Sequence, residues 1–156
     1  MVSYSRILVP FDFSECSAEA LSQAREIAAR FNAELHLVTV VEPWPPASSV
    51  TADVYPLYRD YVMQEHARAT RQLNEVVATI AGSETVQHAT LEGIIEKELL
   101  KYIEKNGVDL VVLGTHGRSG LSHWFIGSVA EKLARLAPCS VLIARQRRTD
   151  PSTARK

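Results

Sequence analysis

The sequence predicts an α/β fold: a single domain built on an open parallel five-stranded sheet with helices on both faces. Three observations predict it. Short apolar runs alternate with amphipathic segments from one end of the chain to the other, the pattern of strands joined by crossover helices. The run Leu110-Val111-Val112-Leu113 is apolar at every position, as a strand covered on both sides must be. The 156 residues carry no break in composition, repeat or linker, which fits one domain.

Taken in order, Arg6–Pro10 reads as a short buried strand. Ala20, Leu21, Ala24, Ile27, Ala28 and Phe31 then recur at helical spacing over residues 17–31. Residues 35–41 are rich in β-branched side chains and form the second strand. Pro43, Pro45 and Pro46 stop any regular element. The stretch 43–49 is a long surface loop, either a cover over a pocket mouth anchored by Trp44 or an insertion without function. A long helix over 57–80 buries Tyr58, Val62, Ala69, Leu73, Val76 and Ile80. Residues 84–90 make a polar strand suited to a sheet edge, and 94–104 a third helix stopped by Asn106-Gly107. Strand 109–113, helix 128–137 ended by Pro138, and strand 140–144 complete the series.

The composition excludes several classes. A net charge of −1 argues against a general nucleic-acid binder. No apolar stretch approaches a membrane span, and the run 7–9 is too short for a signal segment, so a cytoplasmic protein is expected. Cys16 and Cys139 form no C-x-x-C pair and are expected to be unpaired, Cys139 as a small buried residue. Basic residues crowd the C-terminus, where 149–156 is expected to be a flexible tail to a domain of residues 1–148.

The chemistry concentrates after the fourth strand. Gly114-Thr115-His116-Gly117-Arg118-Ser119-Gly120, continuing to Gly127-Ser128-Val129, holds four of the seven glycines. Glycine permits positive φ and close approach of backbone to a ligand. A loop that leaves a strand and enters a helix N-terminus presents N–H groups to phosphate. Against this stands a capping box, with Ser128 as N-cap and Glu131 three positions on; local chemistry alone does not choose between the two. Asp12 likewise reads as a ligand carboxylate or as a helix cap, through its spacing to Glu15. His116 and His123 lack a third ligand and do not make a metal site, and His36, His66 and His88 carry no pattern. G-x-x-x-x-G-K-[ST], G-x-G-x-x-G after the first strand and G-x-S-x-G are all absent.

The spacing Gly114-x2-Gly117-x9-Gly127-Ser128 resembles the ATP-binding signature of universal stress proteins. Its flanks, 108–113 and 137–143, and Ile7-Leu8-Val9-Pro10-Phe11-Asp12-Phe13-Ser14 resemble that family as well. The resemblance implies strand order 3-2-1-4-5 and ATP, with Mg2+, lying across the ends of strands one, two and four. Asp12, beside Pro10 and Phe11, would reach the ribose or the metal, and the Val40 backbone the adenine. Gly114 and Gly117 would line the phosphate path, with Thr115, His116 and Arg118 in the same loop. Gly127, Ser128 and Val129 would hold the phosphates. It also implies a stress-response role and a homodimer through strand 140–144, whose apolar edge needs cover. No strong general base, catalytic triad or paired carboxylate stands near the loop, so fast catalysis is not implied. A slow ATPase or phosphotransfer enzyme using Asp12, and a nucleotide-independent interaction protein, are the rival readings. The Pro-rich loop and the segment 90–93, which lacks the family's turn, are the departures.

Overall fold

Strands and helices alternate along the computed structural model, which describes residues 3–80, 85–115 and 127–145. The elements are β1 (Arg6–Pro10), α1 (Glu15–Phe31), β2 (Glu34–Val41), a 3₁₀ turn (Ala47–Ser49), α2 (Tyr55–Ile80), β3 (Val86–Glu92), α3 (Ile95–Asn106), β4 (Leu110–Gly114), α4 (Ser128–Leu136) and β5 (Ser140–Ala144). The five strands form one parallel sheet in the order β3-β2-β1-β4-β5. The polar strand β3 does stand at an edge, and β5 stands at the other. The tail 149–156 lies outside the described residues.

Each strand turns alternate residues to opposite faces, so the sheet has two cores. Ile7, Val9, Leu35, Leu37, Leu110 and Val112 face Ala20, Leu21, Ala24 and Ala28 of α1 and Leu73 of α2. Leu8, Val38, Val111 and Leu113 face Leu99 and Ile103 of α3 and Ala130 and Leu133 of α4. Leu73, Leu99, Ile103 and Leu133 are fully buried, each contributing about 1.5–3 kcal/mol of burial. Small alanines on α1 let that helix lie close to the central strands.

The helix ends obey their local chemistry. Asn32 and Gly107 take left-handed conformations that close α1 and α3. Gly93, at φ +137, turns the chain from β3 into α3 and donates its N–H to the Val41 carbonyl. The segment 90–93 thus changes direction at Gly93, directly after β3 ends. At the other end of the sheet, the Asp109 carboxylate accepts from the backbone N–H groups of Ser5 (2.8 Å) and Arg6 (3.1 Å). That contact aligns β1 with β4.

Candidate functional site

The sheet reverses direction of growth at β1 and β4. The chain goes from β1 to β2 on one side and from β4 to β5 on the other. Registered pairing between β1 and β4 covers only Ile7–Leu110 and Leu8–Val111. Beyond it lie the carboxyl ends of both strands, where sheets of this kind open a crevice.

The β1 wall of this crevice is the turn 11–14. Phe11 N–H still donates to the Val38 carbonyl at 2.8 Å, and its ring meets Phe13 edge-on at 5.3 Å. Phe13 sits at φ +66, a conformation that costs a bulky residue about 1–3 kcal/mol and is held by its surroundings. Asp12 Oδ1 accepts from the Ser14 N–H (3.1 Å) and from its hydroxyl (2.5 Å). Ser14 is the N-cap of α1, accepting from the Ser17 N–H at 3.2 Å. Asp12 is thus not the cap that its spacing to Glu15 suggested. It steadies the capping serine from within the turn.

The β4 wall is built by close packing. A Cβ on Gly114 would stand 2.7 Å from Cys16 Cβ and 2.8 Å from the Cys16 carbonyl carbon and oxygen. Gly114 therefore lets the end of β4 press on the first turn of α1, a structural role independent of any ligand. The Gly127 N–H donates to the Thr115 carbonyl at 2.8 Å, so the chain returns to β4 before α4 begins.

The start of α4 corrects the sequence reading. The N-cap is Gly127, with extended backbone at φ −58 and ψ 150 and no side-chain cap. Ser128 is the first helical residue, and Glu131 N–H donates to the Gly127 carbonyl at 2.9 Å. The Ser128–Glu131 capping box does not form. Glu131 instead lies 4.0 Å from Arg135 on the surface. Gly127 also needs no positive φ. The N–H groups of Ser128, Val129 and Ala130 have no acceptor within the helix by its geometry, and no side chain supplies one from the N-cap. Such a terminus, next to the end of a central strand, attracts an anion.

The family model described as the universal stress protein family matches residues 3–145. The chain belongs to the universal stress protein family. It is similar to universal stress protein MJ0531 of Methanocaldococcus jannaschii, with 30% identity over 92% of this chain and 83% of that one. It is 34% identical to universal stress protein A homolog 1 of Coxiella burnetii, over 89% of this chain and 94% of that one. Among solved structures, UspA of Lactobacillus plantarum superposes with a TM-score of 0.78 at 28% identity, covering 93% of this chain and 100% of that one. A universal stress protein in complex with cAMP superposes with a TM-score of 0.64 at 28% identity, covering 92% and 98%.

In this universal stress protein the residues expected to bind are brought together from four places. Pro10 ends β1 and Phe11 and Asp12 follow it, Val40 lies in β2, Gly114 ends β4 with Thr115 next, and Gly127 caps α4, which Ser128 and Val129 open. His116, Gly117 and Arg118 lie outside the described residues. Val38 turns its carbonyl to Phe11, and Val41 turns its carbonyl to Gly93. By the alternation of a strand, the peptide groups of Val40 face the β1 side, past Pro10–Val38, the last registered pair.

Trp44 does not anchor the Pro-rich loop, since it is 79% exposed. Cys16 and Cys139 are both unpaired and half-buried. Burial and then the Asp109 charge push the Cys139 thiol above its ordinary value. Sequence reasoning passed over two polar groups at the opposite end of the sheet. One is the Asp109 carboxylate, a long-range partner that no local pattern marks. The other is His36, buried within β2 against Tyr102; a histidine at a position flanked by core leucines was the available signal.

Proposed function

We propose that this universal stress protein binds an adenine nucleotide, ATP with Mg2+, in the crevice between β1 and β4. It acts there as a cytoplasmic regulatory module of the stress response and not as an enzyme. The observation that carries the reading is the start of α4. Its N-terminal N–H groups lack a side-chain cap and are tied to the end of β4 by the Thr115–Gly127 hydrogen bond. The phosphates would meet Gly127, Ser128 and Val129, the Val40 peptide groups the adenine, and Asp12 the ribose or the metal. Mg2+ would offset phosphate charge, and the chain's own contribution is to hold the nucleotide away from bulk water. The relative crystallised with cAMP supports the adenine preference.

The Asp12 carboxylate, held in a constrained turn at the crevice, favours one further reading, slow hydrolysis or phosphotransfer. Both are tested together. Nucleotide extracted from the purified protein is identified by mass spectrometry, ATP affinity is measured by calorimetry, and bound ATP is followed over hours. ATP retained intact supports the regulatory module. ADP accumulating at a rate lost in Asp12→Asn supports the enzyme. No nucleotide and no affinity would leave an interaction protein whose glycines only shape turns.

A further inference from the structure

The first turns of α2 run out beyond the sheet. Helix and strand are joined near the end of β3, where His66 Nε2 lies 3.2 Å from the Thr90 carbonyl and the Thr70 hydroxyl donates to that of Thr90 at 2.9 Å. From His66 back to Tyr55 the helix extends about 16 Å. From Thr90 to Glu92 the strand extends only about 7 Å more. Roughly two turns of α2 therefore have no strand of β3 beneath them. These turns are not polar. Val54, Leu57, Tyr58 and Tyr61 fall at the i, i+3, i+4, i+7 spacing of one helix face. The Val54 carbonyl accepts from the Tyr58 N–H at 3.1 Å, so Val54 already follows the helical path. Leu57 is 72% and Tyr61 46% exposed. The Tyr55 ring lies 6.1 Å from that of Tyr58 and widens the patch. An apolar face of this kind left in water marks a surface that a partner covers.

We propose that this face of α2 docks a basic amphipathic helix of a partner protein. Charge decides among the occupants. Within residues 51–65, Asp53 and Asp60 stand against one cation, Arg59, and Glu65 is paired with Arg68 at 3.8 Å. Glu92 adds a charge at the patch itself: partial burial and then this carboxylate push the Tyr58 hydroxyl above its ordinary value. A second copy docked across a two-fold axis would set these carboxylates against themselves. A nucleic acid or an anionic membrane surface would be repelled. A helix with leucine-like side chains at the same spacing would instead pack its ridge along the stripe. Its lysines or arginines would meet the carboxylates and the faces of the tyrosine rings. The inference stands apart from the nucleotide reading, since none of these residues takes part in it.

The test is an amide NMR titration of the isotope-labelled full chain with a capped helical peptide of leucine and lysine, its leucines at i, i+3, i+4, i+7 spacing. Saturable shifts centred on residues 54–65 and Glu92 are expected. Leu57→Ala and Tyr61→Ala, both at exposed positions, should keep the fold and each weaken binding about tenfold, as truncating a central anchor does. The same peptide with glutamate in place of lysine should not bind. No saturable shift, shifts centred elsewhere, equal binding of the glutamate peptide or parent-like affinity in both variants overturns the proposal. So do resonances of 54–65 that move with protein concentration before peptide is added, which would give the face to a second copy. The same resonances moving in Arg147→Glu with Arg148→Glu, again without peptide, would give it to the chain's own basic residues after β5 and overturn the proposal as well.

Discussion

The Gly127 N–H and the Thr115 carbonyl meet at 2.8 Å, so the end of β4 and the start of α4 lie side by side although eleven residues separate them in the sequence. This bond sets where α4 starts. It also explains why Gly127, and not Ser128, occupies the N-cap, and it makes this terminus the place to separate ligand binding from folding.

Gly127→Val is expected to abolish ATP binding and to leave the fold intact. The backbone at φ −58 accepts any residue, so the substitution acts by placing a branched side chain where phosphate must approach. Ser128→Ala is expected to weaken binding less, because the N–H donors remain. It should change stability by under about 0.5 kcal/mol, since no cap is lost. Calorimetry with ATP and thermal melts of both variants check this pair. Parent-like ATP affinity in Gly127→Val would overturn the proposed phosphate site.

Gly114→Ala is expected to destabilise the protein by about 1–3 kcal/mol, the usual range for overpacking. The added methyl meets Cys16 backbone atoms at 2.8 Å, which cannot rotate away. A fall of several degrees in melting temperature, measured without nucleotide, is the expected result. An unchanged temperature would mean that α1 shifts without cost.

Acid should loosen the contact between α3 and α4. The hydrogen bond from Lys132, with Glu96's own backbone, holds the Glu96 carboxyl below its ordinary value against the opposing effect of burial. A carboxylate with a depressed folded pKa contributes stability above its unfolded pKa and loses it as pH falls through the folded one. The contribution is under about 1 kcal/mol, because Lys132 is half exposed. Denaturant melts from pH 6 to pH 3 should show a steeper loss in the parent than in Glu96→Gln. Parallel curves would remove the pair from the account.

β5 is an edge strand that pairs only with β4 among the described residues, and Val141, Leu142 and Ile143 are half-buried on it. We expect a second copy to pair with this strand across a two-fold axis. Light scattering at micromolar concentration should then give twice the chain mass of 17.3 kDa. A mass of one chain would exclude the pairing.

The elements were legible because each follows from local pattern. The unbroken apolar run of β4, the alanine stripe of α1 and the Asn106-Gly107 stop needed no tertiary information. What escaped was set by contacts distant in sequence. Ser128-x-x-Glu131 has the spacing of a capping box, yet the Thr115 carbonyl draws Gly127 into the cap position. Trp44 has the size of an anchor but finds nothing to pack on. Asp12 was marked correctly as part of the β1 turn, while its partner Ser14 was passed over for Glu15. His36 looked unremarkable because Tyr102 and Glu34 become its neighbours only when α3 folds over β2.

The Asp109 carboxylate that grips the N–H groups of Ser5 and Arg6 comes 104 and 103 residues after them in the chain. During synthesis β1 emerges first, yet it belongs in the centre of the sheet. At roughly 5–20 residues per second, one edge of β1 waits about 5–20 s for the strand that will cover it. In that interval Ile7, Leu8 and Val9 form an apolar ribbon open to any passing strand. A newborn chain is therefore expected to carry β1 with one open edge until the residues of β4 have been made.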